Sequence, residues 1–85
     1  MANLRLKKLI LQVVDNQIND SSIPFVREAY EKIQSKGYSK SEAREMIATA
    51  VVEDIYIIMK ENKKFDKREY AEKIERLVEN CKKKK

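Results

Sequence analysis

Two kinds of residue in this chain have types and spacing that could do chemistry, its carboxylates and its lysines. Glu42 and Glu45, and Glu72 and Glu75, stand three apart, the interval at which two acids share one face of a helix. Residues 51–59 read VVEDIYIIM, so Glu53 and Asp54 interrupt an otherwise apolar run. Such acids could bind a divalent metal or act as general acid and base. The carboxylate sites of helical bundles combine them with Glu-x-x-His pairs, and this chain has no histidine. Without histidine there is also no Ser-His-Asp or Cys-His arrangement. A single glycine, Gly37, rules out a glycine-rich phosphate loop. Cys81 is alone, which excludes an internal disulfide, and its place on an apolar helix face reads as a buried thiol. The expectation is a non-enzymatic protein with no cofactor and no metal.

The lysines point to a different class. Of 19 basic residues, Lys82 to Lys85 supply four, so residues 1–81 carry 15 basic against 14 acidic groups. The body is near neutral and a basic tail is attached to it, which differs from a basic binding face. Lys63, Lys64, Lys67 and Arg68 cluster in one loop, and with Lys82 they form a candidate set of phosphate contacts, salt-sensitive and blind to sequence. No aromatic platform is interleaved with them for stacking on single strands. Weak polyanion or nucleic-acid binding is therefore the alternative function.

Four amphipathic segments must position these groups. The first, about residues 3–19, carries Leu6, Leu9, Ile10, Val13 and Val14 as its expected inward stripe. NDSSIP then breaks the helix, and Pro24 opens a second over residues 24–35, with Val26, Ala29, Tyr30 and Ile33 inward and Gly37 after its end. Ser39 and Glu42 form a capping box for a long third helix, residues 40–61. Asp66 with Glu69 repeats that logic for a fourth, residues 67–81, where Phe65 can staple onto Tyr70. Tyr70, Ile74, Leu77, Val78 and Cys81 line its inner side. Short connections imply antiparallel neighbours, so the predicted fold is all-α, a compact four-helix bundle in one domain over residues 1–81, with 82–85 as a basic disordered tail.

Within that frame, a step of ~100° per residue places Asp54 at the centre of the third helix's core arc, with Ala43, Ile47, Ala50, Val51, Ile57 and Ile58. Gln17 takes the same position on the first helix. An unpartnered buried polar group costs about 1–3 kcal/mol, so Gln17 and Asp54 are expected to act as a structural polar pin. Asp54 would be hydrogen-bonded to the Gln17 amide or to the hydroxyl of Tyr30 or Tyr70. Val52, Tyr56 and Met59 fall on the outer side of the third helix, where a soluble monomer should be more polar. They are the candidate interaction patch, for a protein partner or a second copy of the chain.

KIQSKGYSKSEAREMI also has the outline of a helix-turn-helix, in which Lys40, Ser41 and Arg44 would approach a DNA groove. The long apolar helix that follows suits a central beam better than a short exposed reader. No apolar run is long enough to span a bilayer or to resemble a secretory signal, and a soluble cytoplasmic protein is expected.

The order of features resembles a family of small uncharacterised bacterial all-helical domains. It rests on Asn16-Gln17-Ile18-Asn19-Asp20, Pro24, Gly37 with Glu42-Ala43, Glu53 with Ile55-Tyr56, and Phe65-Asp66 with Tyr70, over roughly residues 9–77. The resemblance implies a helical domain in a bacterial cytoplasm and no established activity. Histidines common in that family near the first helix and Arg44 are absent here, which removes any metal or acid–base role carried over from it.

Overall fold

Backbone capping sets where each helix of this protein begins and ends. The computed structural model describes residues 4–83, with four helices: α1 Leu4–Ile18, α2 Pro24–Ser35, α3 Lys40–Glu61 and α4 Lys67–Asn80. The expected boundaries hold to within one residue among these; Asn3, Lys84 and Lys85 lie outside the described residues.

After α1, the Asp20 carboxylate accepts hydrogen bonds from the Ser22 amide (2.9 Å) and hydroxyl (2.7 Å), closing a turn. Those two bonds hold the Asp20 carboxyl below its usual range, the side-chain bond contributing most. Ile23 caps α2 without a side-chain bond, and Pro24 loses nothing there because its amide would have been unpaired. Gly37, at φ 102°, takes the left-handed turn past the end of α2. The capping box of α3 is complete: Glu42 N donates to Ser39 Oγ, and Ser39 N to Glu42 Oε1, each at 3.0 Å. Asn62 ends α3 at φ 52°, a conformation asparagine tolerates, while Lys63 N reaches back to the Ile58 carbonyl at 3.0 Å. Asp66 receives the Arg68 and Glu69 amides, and Phe65 packs on Tyr70 with ring centroids 5.8 Å apart.

The helices pack as an all-α bundle with α2 and α3 in the middle. α1 lies on α3 and α2 from one side, and α4 on α2 and α3 from the other. The shared core is Val14, Val26, Ala29, Ile33, Ala43, Ile47, Ala50, Val51, Tyr70, Ile74 and Cys81. Two ties lock the flanking helices to the centre. Arg44 donates from Nε and Nη2 to the two carboxylate oxygens of Asp15, at 2.7 and 2.8 Å, fixing α1 on α3 with the fork geometry that makes arginine pairs strong. Lys36 extends its ammonium to the carbonyls of Val78 and Cys81, so a cation satisfies the open C-terminal end of α4.

Three expectations are corrected here. The α1 stripe was expected inward, yet only Val14 is buried, while Leu6, Leu9 and Val13 are exposed and Ile10 is half-buried. The Gln17–Asp54 pin does not form. Gln17 Oε1 instead accepts the Tyr70 hydroxyl, joining α1 to α4, and Asp54 is half-buried with no hydrogen bond among the described residues. The tail does not start free: the Tyr38 hydroxyl donates to the Lys82 carbonyl at 2.8 Å.

Candidate interaction surface

Helix lengths explain where the surface arises. At ~1.5 Å per residue α3 is about 33 Å long, against about 18 Å for α2 and 21 Å for α4. The shorter helices close around its first half, where Ala43, Ile47, Ala50 and Val51 are buried, and leave its second half open. There Ile57 and Ile58 are half-buried, and Ile55 is exposed.

Apolar side chains surround α3 on more than one side. Ala48, Val52, Ile55 and Met59 follow one another at steps of four, three and four, on a strip turned away from the core residues. Val52 is 49% exposed, Tyr56 61% and Met59 77%, so the three expected patch residues do lie together on open surface. Lys60 Nζ stands 5.7 Å from the Tyr56 ring centre, covering part of its face as a cation–π contact.

The exposed stripe of α1 extends this strip. A groove of about 610 Å³ between the helices is lined by Leu6, Ile10 and Leu11 on α1 and by Ala48, Thr49 and Val52 on α3. A second depression joins Val52 to Tyr56 and Ile57. Leu6 and Val52 thus belong to one surface, which Leu9 and Val13 continue along α1 and Ile55, Tyr56 and Met59 along α3. Its rim is charged: Lys7 and Glu45 pair across the groove mouth at 3.4 Å, with Glu53 beside them. Sequence reasoning found the α3 residues and missed Leu6, Leu9, Val13 and Ile55. The 4-3-4 spacing on α3 was the signal that could have found Ile55.

The titrating groups converge elsewhere, at the mouth of the core. Tyr70 is 1% exposed, packed edge-on by Phe25 at 5.8 Å and by Phe65, with its hydroxyl on Gln17. Burial pushes its pKa up to about 12, with the nearby Asp54 charge adding to the rise and the Gln17 bond opposing it. The Asp54 carboxyl is raised above its ordinary value by burial first; Lys73 pulls it down, and Glu69 and Asp66 push it up. A tyrosine kept protonated and one lone carboxylate make no acid–base pair with an open reaction position. Among the described residues, no group of three or more histidine, cysteine or acidic side chains stands where it could hold a metal ion. Cys81 is buried beneath α4's end.

The candidate phosphate contacts do not form one face. Lys63, Lys64, Lys67 and Arg68 lie at the start of α4 and Lys82 just past its end, a separation of about 21 Å along the helix. Lys63 also faces acids, at 3.7 Å from Glu69 and 3.9 Å from Glu61. Arg44, the expected groove reader, is committed to Asp15. No helix among the described residues is long and apolar enough to cross a membrane.

Comparison with protein-family models, curated proteins and solved structures yields no match.

Proposed function

We propose that this protein is a non-enzymatic helical module that acts by binding another protein chain through the α1–α3 surface, in a cytoplasmic setting. The observation that carries the reading is the continuity of that surface. Leu6, Leu9, Val13, Val52, Ile55, Tyr56 and Met59 are all exposed, and the groove and depression above join the two helices' stripes. Contiguous apolar patches beyond a few hundred Å² are uncommon on monomers and mark sites of association. Aromatic and methionine side chains are enriched in such contacts, because they offer much apolar area with adaptable shape.

The polyanion alternative gains nothing from the geometry, since its residues are split between the two ends of α4. Affinity capture tests the interaction reading, using the tagged chain and a variant with Val52→Asp, Tyr56→Ser and Met59→Ser. A specific polypeptide, including an untagged copy of this chain, should be held by the wild type and lost from the variant. Identical capture by both would overturn the reading.

A further inference from the structure

We infer that the occupant of the α3 strip is a second copy of this chain, packed antiparallel so that the two α3 helices lie against each other about a two-fold axis between Val52 and Ile55. The inference rests on the interaction reading above and names its partner.

Three observations select this occupant. Ala48, Val52, Ile55 and Met59 have the alternating four and three spacing of a helix–helix seam. Only a long straight helix can present four such positions, and α3, with 22 residues, is the longest in the bundle. In an antiparallel pair the seam is self-complementary, with Val52 of one copy beside Ile55 of the other, and Ala48 beside Met59. Small Ala48 leaves room for the long, flexible Met59.

The charges beside the seam are ordered in the same sense. Glu45 and Glu53 flank its first part, while Lys60 and Lys63 flank its far end. Reversing one copy against the other sets the acidic end of each over the basic end of its mate, and a two-fold axis makes that match twice. A parallel pair would place like charges side by side. The opposed helix dipoles favour the same arrangement.

Area supports it as well. At their observed exposures, the seven apolar side chains of the surface present several hundred Å². That is on the order of the ~800 Å² per partner of a standard stable interface, once the charged rim is added. The α1 stripes would flank the seam on either side.

Molecular mass by sedimentation or light scattering across a concentration series provides the test, with circular dichroism to show that each variant stays helical. The wild type should approach twice the chain mass as concentration rises. Val52→Asp should remain at chain mass with its helicity intact, because Val52 is half exposed and outside the core. Glu45→Lys and Lys60→Glu should each weaken self-association roughly tenfold, since symmetry repeats each like-charge contact. The double variant Glu45→Lys/Lys60→Glu should recover it. Within one chain these two residues are fifteen positions apart on a single helix, about 22 Å, so recovery requires contact between copies.

A dimer that survives Val52→Asp, or a double variant that fails to recover, would overturn the antiparallel seam. A chain of monomer mass up to ~100 μM overturns the second copy as occupant. If that monomer still captures a different protein through Val52, Tyr56 and Met59, the interaction reading stands while this inference falls. If it captures nothing, both fall.

Discussion

The two halves of α3 are made of similar residues and have different surroundings. Ala43, Ile47, Ala50 and Val51 in the first half are sealed by α1, α2 and α4. Asp54, Ile57 and Ile58 continue the same helical phase and are only half-buried, while Val52, Ile55, Tyr56 and Met59 are open. Hydrophobicity is therefore a poor guide to burial in this bundle. What decides it is whether a neighbouring helix is still running at that height. The first half holds the molecule together, and the second half is free to hold something else.

Substitution in the sealed half gives the largest expected effect. Ile47 is fully buried, so Ile47→Ala should cost about 2–5 kcal/mol, combining lost burial with a cavity that the packed helices cannot fill. Denaturant unfolding measures it, and a loss under ~1 kcal/mol would mean the sealed half is no better packed than the open one. In contrast, Met59→Ser, measured at concentrations where the chain is a monomer, should change stability by under about 0.5 kcal/mol. The contrast between the two variants is the sharpest form of the comparison.

Tyr70 stands at the boundary between the halves and ranks next. Tyr70→Phe keeps the ring packing on Phe25 and Phe65 and removes the donor to Gln17, at a cost of about 1 kcal/mol near neutral pH. Half-exposed Gln17 can turn to water, which keeps the loss from growing. The folded phenol holds its proton up to about pH 12, while an unfolded tyrosine releases it near 10. The stability this contributes is complete below pH 10 and is lost as pH rises toward 12. Over that window the wild type should lose up to about 2 kcal/mol more than Tyr70→Phe does. Parallel alkaline unfolding curves for the two proteins would show that the ring is not sealed.

Helix ends were legible because caps are local chemistry. Ser39 with Glu42, Asp66, Pro24 and Gly37 each act within a few residues, and all four mark the observed boundaries. The exposed patch at Val52, Tyr56 and Met59 was legible for a similar reason, since one long helix with apolar residues on two sides cannot bury both. Coverage was not legible. Periodicity identified the apolar side of α1, but it does not say that α3 and α2 cover only the part around Val14 and leave Leu6, Leu9 and Val13 out. The Gln17–Tyr70 bond depends on how α1 and α4 sit across the α2–α3 centre, and no local pattern encodes that. The division of the lysine set between the two ends of α4 was available from helix length alone.

Asp54 gives the smallest expected effect and separates phase from coverage most directly. It occupies the core phase of α3 at a height where the core has ended, so it carries the cost of partial burial without a hydrogen bond among the described residues. Its folded carboxyl is raised above the ordinary range, so the protonated form is the one folding favours. That contribution is greatest in acid and is lost as pH rises through the folded value, which leaves the ionised group working against the fold at pH 7. Asp54→Asn should therefore hold stability or raise it by up to about 0.5 kcal/mol at neutral pH, with the gain shrinking in acid. The same variant removes a charge that helps keep Tyr70 protonated, so the Tyr70 phenolate, followed by its absorbance, should form at lower pH. A loss above ~1 kcal/mol at pH 7 would mean that this carboxylate is held by a partner after all, and that the seal around α3 extends a full turn further than the exposed Ile55 and Met59 indicate.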